Sequence, residues 1–258
     1  MKIATWNVNG IRAREAQVLE LVERERPDVL CLQELKAAPE QVPASLGALE
    51  GYWCTWHGHK GYSGVGLHLR KEAFPEKPVM SHPDFDHETR IVIATAGDLA
   101  VASIYVPNGG KDFEAKIRFL EAMERFAADA QAEGRDLMLC GDLNVARTDR
   151  DVHPKERKCV IGQLPQERDL LEKILSRGLV DVGRALDPDN DSLFTWWAPW
   201  RGMRERNIGW RLDYVLASSR LAARATTCVV RKDVGTSDHA PVVSTFSPER
   251  GLSREPSG

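Results

Sequence analysis

The chain lacks the features that would tie it to a membrane or an oxidising compartment. No apolar run approaches the roughly 18 residues of a membrane-spanning helix, so no membrane partner is expected. The N-terminal stretch, Met1-Lys2-Ile3-Ala4-Thr5-Trp6-Asn7, has no extended apolar segment of the kind a secretory signal carries. Cysteine is scarce and odd in number: Cys31, Cys54, Cys140, Cys159 and Cys228, with no C-x-x-C pair, which suits a disulfide framework poorly. Cys31 and Cys140 lie inside apolar runs and read as small buried hydrophobes, which points to a reducing, cytoplasmic setting. There is no Cys/His zinc spacing either. Nor is positive charge in excess: the formal net charge is -3, so affinity for nucleic acid has to come from a local basic surface.

What is present is ordinary globular composition, 42% hydrophobic and 28% charged over 258 residues, enough for a sizeable core. Short apolar runs recur at Ile3–Trp6, Val29–Leu32, Val65–Leu69, Ile91–Ala94, Val101–Val106, Leu137–Cys140, Tyr214–Ala217 and Val242–Phe246. Their length and β-branched content predict strands, several buried on both faces. Helical spacing marks 14–25, 113–132 and 166–177, the second stopped by Gly134. The pattern is α/β with strands outnumbering helices. No linker interrupts it, so one domain is expected over 1–246, followed by a disordered tail over 247–258.

Chemistry-bearing residues follow the apolar runs: Asn7, Gln33-Glu34, Tyr105-Val106-Pro107-Asn108 and Gly141-Asp142-Leu143-Asn144, with Ser237-Asp238-His239 before the last strand. Strand ends are where rigid scaffolds gather reactive groups. Carboxylate and amide oxygens are hard ligands suited to Mg²⁺ or Mn²⁺. Hydrolysis of a phosphodiester needs an activated water, a cation on the phosphate and help for the leaving oxygen. Asp142 can orient or deprotonate water, Glu34 can hold a metal, and His239 and Tyr105 can donate to phosphate oxygens. Alone, a Gly-Asp-x-Asn is usually a turn and a Ser-Asp-His a helix cap; the combination carries the reading.

Trp-Asn-Val-Asn-Gly-Ile-Arg-Ala-Arg (6–14), Leu-Gln-Glu-Leu-Lys (32–36), Gly-Tyr-Ser-Gly-Val-Gly (61–66), Tyr-Val-Pro-Asn-Gly-Gly-Lys (105–111), Gly-Asp-Leu-Asn-Val-Ala (141–146), Asn-Ile-Gly-Trp-Arg-Leu-Asp-Tyr (207–214) and Ser-Asp-His-Ala-Pro (237–241) resemble, in order, the exonuclease III family of abasic-site endonucleases. The resemblance implies a four-layer αββα sandwich with two mixed β-sheets, and a Mg²⁺-dependent enzyme (Mn²⁺ as substitute) that cuts 5′ to abasic sites in duplex DNA and trims 3′ ends. It implies a monomer acting on abasic or 3′-blocked DNA. By the same resemblance Glu34 is the principal metal ligand, with Asn7 and Asp238 near the metal and Asp142, Asn144 and His239 within its reach. Asp142 activates water with Asn144 beside it, Asp213 supports His239, and Tyr105 contacts the scissile phosphate. Trp196, Trp210 and Leu212 match a pocket for a flipped-out abasic sugar.

Tyr62, Asn108, Gly110, Lys111, Arg147, Arg201 and Arg204 complete the expected DNA surface; Arg201 and Arg204 belong to an Arg/Trp run with Arg206, Arg211, Trp196, Trp197, Trp200 and Trp210. Gly110 falls where some members carry a bulkier residue, which favours an open mouth. Its glycine has a second explanation, a turn requiring positive φ. Arg147 stands where many members have His, and Thr89 where many have Gly. Two other readings are a chiefly 3′–5′ exonuclease or non-DNA phosphodiesterase on the same sandwich, and an inactive DNA-binding module.

Overall fold

The computed structural model describes residues 1–248, so the expected tail lies outside the described residues beyond Pro248. Ser247 donates its N–H to the Arg224 carbonyl (2.8 Å), so hydrogen bonding continues one residue past the last strand. Among the described residues, twelve strands form two six-stranded sheets. The first contains β1 (Lys2–Asn7), β2 (Val29–Gln33), β3 (Tyr52–His59), β4 (Tyr62–Arg70), β11 (Ala225–Val230) and β12 (Val242–Phe246), ordered β11-β12-β1-β2-β4-β3. The second contains β5 (Val79–Ser81), β6 (Ile91–Ala96), β7 (Leu99–Tyr105), β8 (Asp136–Asp142), β9 (Leu179–Asp181) and β10 (Asp213–Ser218), ordered β5-β6-β7-β8-β10-β9. Both sheets are mixed, because β1–β2 and β7–β8 are parallel and their other pairings antiparallel.

The parallel pairs need crossovers. Helix α1 (Glu15–Glu25) makes the first, the short α2 (Ala44–Gly47) follows β2, and α3 (Phe113–Ala132) makes the second. Asp112 caps α3 by accepting from the Ala115 N–H (2.9 Å), and Gly134, at φ +67°, lies two residues past its end. Between the sheets lies a core that includes Ile3, Val29, Cys31 and Val65 from the first and Val101, Met138, Cys140 and Val215 from the second. Outside the second sheet α3 and α4 (Pro165–Ser176) cover Leu137, Leu139 and Leu216; outside the first, α1 covers Ala4, Leu30 and Leu32. The layers are therefore helix, sheet, sheet, helix. The expected four-layer αββα sandwich is what the chain forms.

This topology gathers the strand ends. Parallel β7 and β8 both finish at the same rim, with Tyr105 beside Asp142 in register. Antiparallel β10 starts there, placing Asp213 opposite Asp142. In the other sheet Asn7 pairs with Gln33 at the parallel ends of β1 and β2, and β12 enters from the same rim just after His239.

Gly141 makes the central register possible. It sits at φ +147° on β8, and a Cβ there would lie 1.9 Å from the carbonyl oxygen of Ile104. Backbone, not a flexible side chain, fills the space. Gly141→Ala is expected to cost about 3 kcal/mol or more, read as a lowered midpoint in urea unfolding. An unchanged midpoint would mean that β7 and β8 yield without penalty.

Candidate active site

At the gathered strand ends lies a cleft of about 330 Å³ lined by Glu34, Tyr105, Asn108, Asp142, Asn144, Ile161, Gly162, Trp196, Trp210, Leu212, Asp238 and His239. Asp142 is buried at its floor. Its Oδ2 accepts from Asn7 Nδ2 (3.0 Å) and Asn144 Nδ2 (3.2 Å), and its Oδ1 from the Asn144 N–H (2.9 Å). His239 Nε2 stands 3.8 Å from the same Oδ2. His239 Nδ1 bonds Asp213 Oδ2 at 2.8 Å, which fixes the ring's orientation.

These groups set one another's charge. Burial opposes a charged imidazole, yet the carboxylates of Asp213, Asp142 and Asp238 outweigh it and lift His239 to about 10. Burial raises Asp142 to about 7, with Asp213 adding to the rise and His239 opposing it. Burial, reinforced by the negative charges of Glu34 and Asp142, pushes the Tyr105 phenol well up, so it stays a neutral donor. Asp238 is held low despite burial, by His239 and by hydrogen bonds from Asn9 Nδ2 (2.8 Å) and Trp196 Nε1 (2.9 Å).

Glu34, Asp238 and Asn7 provide hard oxygen donors of the kind Mg²⁺ prefers. The Lys36 ammonium lies 2.9 Å from Glu34 Oε1 and 2.6 Å from Asn9 Oδ1, so this oxygen cluster already holds one cation. Ligand atoms of Asp142, Asp213 and His239 also lie within 4.8 Å of one another, a group that could hold a metal ion. Asn9, Glu34, Lys36 and Asn144 all have positive φ, between 45° and 55°. Left-handed non-glycine backbone tends to gather where function over-determines geometry.

One wall is apolar. The Trp196 and Trp210 rings meet edge to face, with centroids 5.5 Å apart, and each backbone N–H donates to the other's carbonyl (2.9 Å). Leu212 packs beside them with Ala146 and Val152. Gly162, at φ +90°, leaves room for this wall: a Cβ there would meet the Trp210 ring at 2.9 Å.

The expected DNA surface divides. Tyr62, Asn108 and Lys111 line an adjoining recess, where Tyr62 accepts from Arg90 Nη2 (2.9 Å). Gly110 is exposed and its φ is not positive; a Cβ there would meet only Asn108 Oδ1, at 3.5 Å. The positive-φ residue is its neighbour Gly109, at +87°, so the turn explanation for Gly110 is set aside. Thr89 sits at φ +58°, a conformation that glycine adopts without penalty.

Arg201 and Trp200 are exposed beside a second hollow that Arg204 also lines. The Arg204 guanidinium, however, bonds the carbonyls of Ser237, Lys232 and Val234 and faces the Trp197 ring, making it a brace for the Asp238 loop. The Arg147 guanidinium is held by Glu172 and Asp181. Arg211 and Trp197 are buried. Arg211 makes paired bonds to Asp181 (2.8 and 2.6 Å) and one to Asp151 (2.7 Å), anchoring the start of β10.

A fold of this kind, with its carboxylates and imidazole drawn to one rim, defines the sandwich-type phosphoester hydrolases. Residues 4–239 match the Endonuclease/Exonuclease/phosphatase family, and the chain belongs to that family. The exodeoxyribonuclease of Bacillus subtilis is 33% identical, covering 94% of this chain and 98% of that protein. A Neisseria 3′ phosphatase, NExo, solved with a product DNA hairpin, superposes with a TM-score of 0.87 at 31% identity, over 96% of this chain and 100% of that one. An AP endonuclease from Archaeoglobus fulgidus gives 0.83 at 31% identity, again over 96% and 100%. The chain spans 37% of a longer Drosophila melanogaster relative, Recombination repair protein 1, at 32% identity. The resemblance to exonuclease III enzymes read from the sequence holds.

Sequence reasoning missed Ile161, Gly162, Arg90 and, above all, Lys116. Lys116 is fully buried on the inward face of α3. Its ammonium donates to the carbonyls of Asn144 (2.7 Å) and Asn108 (3.3 Å) and pairs with buried Glu167. Glu167 in turn accepts from the N–H groups of Gly162 and Leu164. The available signal was a lysine among Phe113, Ile117 and Leu120, on the apolar stripe. Lys116→Met should destabilise by about 3–5 kcal/mol, because it leaves Glu167 as an uncompensated buried charge. Pairing it with Glu167→Gln should restore part of the loss in a double-mutant cycle. Additive losses would show that the two do not act as a pair.

Proposed function

We propose that the chain is a DNA repair nuclease that hydrolyses the phosphodiester 5′ to abasic sites in duplex DNA, leaving a 3′-hydroxyl, and that it also trims 3′ ends. Mg²⁺ is the proposed cofactor, with Mn²⁺ as substitute, and a cytoplasmic monomer the proposed working form. The observation that carries this is the shared cleft: Asp142 and His239 form its floor, and Trp196, Trp210 and Leu212 its apolar wall. A flipped nucleotide without a base is cheap to unstack, and a small apolar pocket excludes an intact base.

Within this reading Asp142 takes the proton of the attacking water, held in position by the Asn7 and Asn144 amides. His239, kept protonated by Asp213, and the neutral Tyr105 phenol donate to phosphate oxygens, where negative charge grows. Glu34, Asp238 and the Asn7 carbonyl oxygen would hold the divalent ion. When bound, that ion supplies charge neutralisation and polarisation of the phosphoryl group. Tyr62, Asn108, Lys111 and Arg201 serve the DNA backbone beside the cleft. The open position at Gly110 favours entry of an internal lesion. The likeness to the Neisseria 3′ phosphatase favours a second reading, in which 3′-end processing dominates.

Incubation of a duplex carrying one abasic-site analogue with Mg²⁺ should give a single cut 5′ to the lesion, abolished by chelator. A 3′-side cut, or cleavage undiminished by chelator, would overturn the hydrolytic assignment. Asp142→Asn should bind the same duplex but lose ~10²- to 10⁴-fold in turnover, the typical contribution of a general base. Turnover within a few-fold of the parent would remove Asp142 from that role.

The pH profile follows from the two titrating groups. The base form of Asp142 is lost as pH falls through about 7; a bound cation moves this acid limb lower, because positive charge favours the carboxylate. His239 keeps its proton until about 10. kcat/KM should therefore fall on the acid side at or below pH 7 and on the alkaline side near 10. His239→Gln should lower the rate and lose the alkaline limb. An alkaline limb unchanged in that variant would assign it to another group.

A further inference from the structure

Two histidines and an aspartate meet outside the cleft, where the edge strands of the two sheets come together. His57 lies on β3, the edge of the first sheet; His82 and Asp86 follow β5, the edge of the second. His57 Nε2 is 2.5 Å from Asp86 Oδ2. The two imidazoles stack with centroids 3.8 Å apart. One ligand atom from each of the three residues lies within 4.8 Å of the others.

We propose that His57, His82 and Asp86 form a second metal site, separate from the catalytic cluster, which takes a borderline divalent transition ion of the Zn²⁺ class. Two imidazoles and one carboxylate are a donor set that zinc uses with a fourth position left open. Mg²⁺, which prefers oxygen, is disfavoured here. The Glu34, Asp238 and Asn7 oxygens of the cleft have the opposite preference, while its Asp142, Asp213 and His239 group offers one imidazole where the second site offers two.

The surrounding hydrogen bonds prepare the donors. His82 Nδ1 lies 3.1 Å from the Ile91 carbonyl oxygen. A carbonyl can only accept, so in the neutral ring Nδ1 carries the proton and Nε2 keeps its lone pair. Asp86 Oδ1 accepts from the N–H groups of Arg90 (2.8 Å) and Ile91 (3.1 Å), which turns Oδ2 toward His57. Orientation of ligands by backbone partners is the usual support of a protein metal site. Ligand nitrogens around a tetrahedral zinc stand about 3.3 Å apart. To reach that arrangement the exposed His82 ring, now stacked on His57, would turn its Nε2 toward the ion, and the close His57–Asp86 pair would open.

Such an ion would staple the two edge strands and fix the segment from His82 to Arg90. Arg90 faces the Tyr105 ring at 4.7 Å and bonds Tyr62. The second site would thereby stiffen the wall beside the cleft without touching substrate.

The test is equilibrium dialysis of the Mg²⁺-loaded full-length protein against ZnCl₂, with metal analysis and melting temperatures. The parent chain and Glu34→Gln should each retain one zinc per chain and melt higher with zinc than without it. His82→Gln, at an exposed position, should bind zinc at least 10-fold more weakly and lose the melting shift; His57→Gln should do the same. Absence of stoichiometric zinc in the parent would overturn the proposal. So would zinc that is lost in Glu34→Gln but kept in His82→Gln, since the ion would then belong to the catalytic cluster. Zinc retained with no melting shift would overturn the stapling role.

Discussion

The buried charge around Asp142 is the constraint from which the rest of the rim follows. Glu34, Asp142, Asp213 and Asp238 contribute four carboxylates, against the imidazolium of His239 and the ammonium of Lys36. With every group ionised, two negative charges remain uncompensated. Taking such charges out of water is expensive unless hydrogen bonds and counter-charges surround them. The carboxylates are accordingly held by directed donors: Asn7 and Asn144 at Asp142, His239 at Asp213, Asn9 and Trp196 at Asp238, and Lys36 at Glu34. The two charges left over are what a divalent cation would neutralise. The rise of Asp142 to about 7 comes first from burial, with the neighbouring Asp213 charge adding to it and His239 opposing it.

Holding those donors in place falls to polar networks one layer further out. Lys116 and Glu167 tie the Asn144 loop, the Asn108 loop and Gly162 into one unit. Arg211, Asp151 and Asp181 do the same for the start of β10 and hence for Leu212 and Asp213. Thr195 Oγ1 accepts from the N–H groups of both Leu212 and Asp213, and Trp6 Nε1 donates to the His239 carbonyl. Loops that would otherwise move are thereby fixed to the rigid sheets, as a preorganised site requires.

The eight apolar runs read as strands are strands, because residues buried on both faces form runs that need no partner to be recognised. The missed strands had weaker patterns. Strand β3 mixes aromatics with histidines and is half-buried at a sheet edge, β11 exposes several of its residues, and β5 and β9 are three residues long. The cleft residues were legible because polar groups that terminate buried strands must emerge at a rim. The charged residues behind them were not, since sequence does not record which way a long side chain turns. Arg147, Arg204 and Arg211 looked like a DNA surface and are instead bound by carboxylates or carbonyls. Nor does the sequence record that Lys116, on α3, turns inward to Glu167.

That redistribution of arginines bears on how a chain of net charge -3 could engage DNA. Arg147 and Arg211 are paired with acidic side chains and Arg204 with carbonyls, so the local positive surface is smaller than the sequence suggested. Phosphate contacts dominate non-specific affinity, and each one adds to its salt dependence. A protein with few such contacts gains little from intact duplex. Under the proposed activity, selectivity then comes from the lesion itself: a base-free nucleotide resists bending and extrusion least, and the Trp196–Trp210 wall accepts the sugar that emerges. Sparse backbone contact thus works in favour of discrimination, because it leaves undamaged DNA with little to hold it while the strand-end cluster waits for a phosphate that only a deformable site can deliver.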